Sequence, residues 1–261
     1  MLYSIPIEYL AFQLHSPNMI PAGFSMTLRL VSLIVVCPAL AALTLILLKE
    51  GPRGVKPWLM RLFDLGKVKP RAWLAPALLV SLVMAVGAYV LINIFVGPIS
   101  NPRIDPVSVL LSFLLLVPFA AAEELGWSAY AIEPLSQRMG GLGAAVLVGA
   151  IWSVWHIVPR LLGPHSWHSL LWSGINTLEL RVIMTWIFFS GGRSVASMVL
   201  LHALDNVCYS NFPNFGSHYD PFYLCIMLTL ATALIVIFRD GKTMTKPRFV
   251  GAAQAPVGSS V

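Results

Sequence analysis

Apolar runs recur along this chain at lengths above the roughly 18 residues that separate a membrane-crossing helix from a helix of a soluble core. A chain built this way has few choices, because in lipid each helix must satisfy its own backbone donors and acceptors. Composition points the same way: of 261 residues, 57% are hydrophobic and only 11% charged, with a mean hydropathy of +0.79. A soluble globular protein is excluded. The expected fold class is all-α, a polytopic transmembrane helix bundle and hence an integral, multi-pass membrane protein.

Polar turns divide the apolar runs into seven expected spans, at about 24–48, 73–96, 107–130, 142–157, 170–190, 195–211 and 222–238. Residues 1–23 hold Glu8 and Pro6 and read as an interfacial segment, with an eighth span there as the alternative. Between Lys49 and Arg71 lie seven basic residues against Glu50 and Asp64, so this loop is expected in the cytoplasm. Threading the chain from that anchor places 13 of the 17 Lys and Arg on the inner side, together with the carboxyl terminus. Topology thus accounts for the net charge of +6, and nucleic acid is not an expected partner. No basic leader with a cleavage site precedes the first apolar run, so the first span is expected to serve as insertion signal. Cys37, Cys208 and Cys225 stand apart in apolar segments and read as small core residues.

Against this background the stretch PFAAAEELGWSAYAIEP, residues 118–134, is anomalous. One carboxylate at membrane depth costs about 2.5–3.5 kcal/mol even on the permissive insertion scale, and here Glu123 and Glu124 are adjacent. They point about 100° apart on a helix and repel as anions, an arrangement suited to proton transfer. Two later apolar stretches supply partners, WSVWH at 152–156 and HALDN at 202–206. His202 and Asn206, four apart, share a helix face and can aim two hydrogen bonds at one developing oxyanion. Trp152 and His156 share a face in the same way. Counted from the inner ends, the glutamates and His202 lie at similar depths, while His156 is deeper. Any one of these polar groups could be interhelical glue. Together, on three apolar segments, they indicate a site.

Other polar residues read as structural. Glu179 and Arg181, two apart on the fifth span, face opposite sides and are each expected to pair with another helix. His15, His165, His168 and His218 fall in loops or near interfaces. No phosphate-binding loop is present, since no strand precedes Gly141, Gly143 or Gly149.

The three stretches resemble the CAAX prenyl endopeptidase and bacteriocin-processing (CPBP, or Abi) family of intramembrane glutamic proteases, whose pattern is Glu-Glu-x-x-x-Arg, Phe-x-x-x-His and His-x-x-x-Asn or Asp. They match, in order, at Glu123 and Glu124, at His156, and at His202 and Asn206. Two positions depart: Ser128 stands where the pattern has Arg, and Trp152 where it has Phe. The resemblance divides the chain into an N-terminal segment (1–23), N-terminal helices with the basic loop (24–106), a catalytic core (107–212), and a last helix with its tail (213–261).

By resemblance, Glu123 activates water with help from His156, Glu124 is its supporting neighbour, and His202 with Asn206 holds the oxyanion. A metal-free site is expected. A divalent metal such as zinc, held by Glu123, His156 and His202, is the rival, though neither His belongs to an HExxH helix. The implied partners are the lipid bilayer and a prenylated or otherwise membrane-delivered peptide substrate. Ser128 motivates the alternative of a non-catalytic relative, an immunity protein or membrane scaffold.

Overall fold

The computed structural model describes residues 34–161 and 165–246. The interfacial segment expected at 1–23, the start of the first span and the far tail lie outside the described residues. Those described form helices joined by turns, with no strand element among them, as the apolar runs require. We number the helices α1 (Cys37–Glu50), α2 (Val55–Met60), α3 (Leu74–Phe95), α4 (Pro106–Gly126), α5 (Ile132–Arg160), α6 (Trp167–Ser190), α7 (Val195–Ser210) and α8 (Pro221–Phe238).

Local chemistry sets several of these boundaries. Asp105, Ser166, Ser194 and Asp220 cap α4, α6, α7 and α8, each accepting a hydrogen bond from a backbone N–H of the first turn. Pro106 and Pro221 occupy first-turn positions, where the missing N–H is no loss. One π-helical turn, Trp127–Ala131, joins α4 to α5, so the helix widens and is locally underwound immediately after the glutamate pair. α5 then breaks at Gly140, whose φ of 78° suits glycine. Chain beyond α8 pairs with this corner: Gly141 N–H donates to the Lys242 carbonyl at 2.7 Å and Leu142 N–H to that of Gly241 at 2.9 Å.

Among the described residues, four helical stretches are long and apolar enough to cross a membrane: Ile34–Phe63, Arg71–Phe95, Pro106–Arg160 and Pro221–Phe238. Their outer faces are apolar, as on α3, where Leu79, Leu82, Val83, Val86 and Ile94 are all exposed. A continuous apolar face of this size suits lipid rather than water. α7 has 16 residues, α6 is interrupted by Glu179 and Arg181, and Pro106–Arg160 holds two of the expected spans in one stretch, so length and hydropathy pass four stretches where the sequence reading counts seven.

Burial is concentrated where α5, α6 and α7 meet the centre of the bundle. Val148 and Trp152 of α5, Ile183, Met184, Ile187 and Phe188 of α6, and Val195, Met198 and Leu201 of α7 belong to one core cluster. α7 packs between α3 and α4, and α6 between α5 and α8. α1 lies against α4 so closely that a Cβ on Gly126 would sit 2.4 Å from Pro38 Cβ.

The basic loop is a folded plug. Arg61 donates to the Ala129 carbonyl at 2.8 Å and to Glu133 Oε1 at 2.7 Å. Trp58 Nε1 donates to the Leu125 carbonyl at 2.9 Å, and Asp64 Oδ1 accepts from Ser194 Oγ at 2.9 Å and from Ala196 N–H at 3.1 Å. The loop therefore ties the end of α4 to the start of α7 and closes that end of the bundle.

Candidate active site

Glu123 and Glu124 lie in the last turn of α4 before the π-turn, and both are buried, at 3% and 0% exposure. Their partners differ entirely. Arg181, from α6, grips Glu124 with both terminal nitrogens: Nη2 donates to Oε1 at 2.9 Å and Nη1 to Oε2 at 3.0 Å. Ser128 Oγ, one turn along, also donates to Oε2, and His202 Nδ1 bonds Oε1 at 3.0 Å. Glu124 is thus held from three helical segments by a bidentate ion pair, a hydroxyl and an imidazole.

Glu123 receives one hydrogen bond among the described residues, from Trp152 Nε1 to Oε2 at 2.7 Å. Its Oε1 keeps its lone pairs. The Trp152 indole is the hub of the site: its ring centroid lies 5.1 Å from that of His202 and 5.3 Å from that of His156, both edge-on, and the Arg181 guanidinium lies 4.2 Å from its centroid. Both glutamates and both imidazoles therefore converge around one side chain.

His156 sits one turn beyond Trp152 on α5. Its Nδ1 bonds the Trp152 carbonyl at 3.0 Å, and Trp155 flanks the ring at a centroid distance of 4.9 Å. The depth mismatch in the sequence reading has its reason here, because α5 meets Glu123 through Trp152 and carries His156 further along. With Nδ1–H donated to a carbonyl, Nε2 of a neutral ring is an acceptor.

A cavity of about 140 Å³ adjoins this cluster. Trp152, His156, His202 and Asn206 line one end, and Arg160, Asn176, Tyr209 and Tyr219 the other. Exposure along α7 follows the same direction: His202 is buried, Asp205 and Asn206 are half-buried, and Tyr209 is exposed at 46%. The site is closed toward the plug and opens toward the Arg160 and Tyr209 ends of α5 and α7. His202 with Nδ1 on Glu124, and Asn206 one turn above, face the cavity together, as their spacing of four predicts.

The rival metal set Glu123, His156 and His202 does not gather into a coordination sphere. Trp152 bonds the carboxylate and stands beside both rings, and among the described residues no three His, Cys, Asp or Glu side chains converge on one point. These residues do not fit a three-ligand zinc centre.

Sequence reasoning missed Arg181. The expectation that it pairs with another helix holds, but its partner is the glutamate at the centre of the site. Glu179, two residues away, accepts from Thr229 Oγ1 of α8 at 2.7 Å instead. Helical spacing shows that the two diverge without saying which one faces the site. The available signal was the pattern's missing cation at position 128, for which Arg181 is a candidate replacement within the apolar core.

Residues 103–208, which supply α4 to α7, match the family described as Type II CAAX prenyl endopeptidase Rce1-like. A stretch of 104 residues is 33% identical to CAAX prenyl protease 2 of Methanococcus maripaludis, covering 36% of this chain and 38% of that relative's length. The segment that holds Glu123, Glu124, His156, His202 and Asn206 is therefore the part of the chain that is similar to these CAAX prenyl endopeptidases, and the match spans well under half of that relative's length.

Proposed function

We propose that the protein is a CAAX prenyl endopeptidase-like intramembrane protease that hydrolyses a peptide bond in a prenylated or otherwise membrane-delivered substrate, without a metal. The observation that carries this reading is the unequal treatment of two adjacent carboxylates. Glu124 is saturated with donors, whereas Glu123 keeps an oxygen with no protein donor among the described residues, so Glu123 has basicity to spend on water.

Glu123 takes a proton from water as the oxygen attacks the carbonyl carbon of the scissile bond. His156, whose Nε2 is left as an acceptor, helps to hold that water. The resulting oxyanion is received by Asn206 Nδ2–H and His202 Nε2–H from the same face of α7. For His202 to donate there while Nδ1 donates to Glu124, its ring carries both protons, and Glu124 balances that charge. Two cations, Arg181 and His202, then face two carboxylates, which makes the buried cluster neutral. Collapse of the intermediate breaks the C–N bond, and the proton on Glu123 passes to the departing amine.

The test is cleavage of a farnesylated CAAX peptide by purified protein in detergent or liposomes. Wild type should cut and Glu123→Gln should not. Equal cleavage by the mutant would remove Glu123 from the mechanism, and a wild type that cuts no prenylated peptide would favour the non-catalytic alternative.

A further inference from the structure

We infer that Arg181 performs from α6 the positioning role that the motif assigns to an arginine at position 128, so that Ser128 and Arg181 are two halves of one transposed charge. The inference rests on the proteolytic reading above. Its geometric basis is that the Arg181 guanidinium ends 3.4 Å from Ser128 Oγ while holding both oxygens of Glu124. Serine is short enough to leave this space to a guanidinium arriving from the neighbouring helix, and its hydroxyl adds a further donor to the same carboxylate. An arginine side chain starting from position 128 would extend into the volume that the Arg181 head group already fills. The motif has one arginine beside the glutamate pair, and Arg181 supplies one.

Arg181 also does what a cation at position 128 would not do by charge alone. Lying 4.2 Å from the Trp152 ring centroid, it packs against the indole whose Nε1 bonds Glu123. It therefore reaches the second glutamate through Trp152 while binding the first directly. Its backbone is set by close packing of α5 on α6, since a Cβ on Gly149 would lie 3.2 Å from Arg181 Cβ and 3.1 Å from the Leu178 carbonyl oxygen. With 2% of its side chain exposed, Arg181 cannot act on a substrate directly. It is a positioning residue, acting by fixing Glu124, hence His202, and by fixing Trp152, hence Glu123.

The test compares wild type, Arg181→Ser, Ser128→Arg, the transposed Ser128→Arg/Arg181→Ser, and Glu123→Gln as control, with kcat and KM for the farnesylated peptide and a thermal melt for each. Arg181→Ser should lose about a hundredfold in kcat with KM within about twofold, as losses of orienting partners do. Ser128→Arg should lower activity, because a second cation enters a filled site. The transposed variant should recover at least about tenfold over Arg181→Ser. A rise in activity for Ser128→Arg would mean that the charge is missing, and would overturn the inference. So would a folded transposed variant no better than Arg181→Ser, or wild-type kcat in Arg181→Ser. If Arg181→Ser does not fold, the sign of the Ser128→Arg effect decides alone. Wild type active, Glu123→Gln dead and Arg181→Ser unimpaired would sink this inference only. Indifference of cleavage to Glu123→Gln would sink the reading beneath it.

Discussion

Glu123 and Glu124 are neighbours on one helix, equally buried, and have opposite surroundings. One is clamped by Arg181, Ser128 and His202, and the other is hydrogen-bonded, among the described residues, by Trp152 alone. A carboxylate whose lone pairs are all engaged contributes to order, and one with a free oxygen is available to react. The pair divides support from chemistry between two adjacent residues, and the roughly 100° between their side chains makes that division geometric.

The largest effect expected from breaking this asymmetry falls on activity. Glu123→Gln keeps the size of the side chain and an acceptor for Trp152 Nε1 but removes the base, so kcat should fall by about 10²–10⁴ with little change in melting temperature. Peptide cleavage and a thermal melt on one detergent preparation read both quantities. Glu124→Ala should do something different. It leaves the Arg181 guanidinium buried without its anion, a loss of about 3–5 kcal/mol in stability for a broken buried pair. A variant of Glu124 that melts like wild type would show that the clamp is not structural and would erase the contrast.

A smaller effect sharpens the comparison from the side of Glu123. Trp152→Phe introduces the aromatic of the resembled pattern at this position, keeps a ring beside Arg181, His156 and His202, and removes the indole N–H that orients Glu123 together with one ring of the bicycle. The expected loss is about tenfold in kcat, at the low end for an orienting partner. No loss would mean that Glu123 is positioned by its helix alone.

How much of this was legible in the sequence differs between fold and site. Apolar runs and buried carboxylates are one-dimensional signals, so the all-helical bundle and the three motif-bearing segments could be read directly. The convergence of Glu124 on His202 could be anticipated because their depths agree. What could not be read is which side chain of a neighbouring helix reaches across. Trp152 intervenes between Glu123 and His156, and Arg181 approaches from a helix outside the motif, both set by interhelical packing at Gly149 and by the π-turn at 127–131. The basic loop read as a topology signal. Its hydrogen bonds to Ala129, Glu133 and the start of α7 depend on contacts about 68 to 132 residues apart, which periodicity does not carry.

The smallest expected effect tests whether Arg181 is special or merely polar. Glu179 lies two residues away on α6, is also buried at 8% exposure, and also bonds another helix, through Thr229 Oγ1 at 2.7 Å and Cys225 Sγ at 3.7 Å. By sequence the two residues are equivalent polar interruptions of one apolar segment. By structure one faces the glutamate pair and the other faces α8. Interhelical hydrogen bonds of the second kind average about 0.6 kcal/mol in membrane proteins. Glu179→Gln, which retains acceptor and size, should therefore change stability by less than about 1 kcal/mol and kcat by less than about twofold. If it instead removed activity as Arg181→Ser is expected to, the sensitivity of α6 would belong to the helix as a whole. The contrast between the two glutamates of α4 would then have to be explained without Arg181, since any disturbance of α6 packing would reach the site.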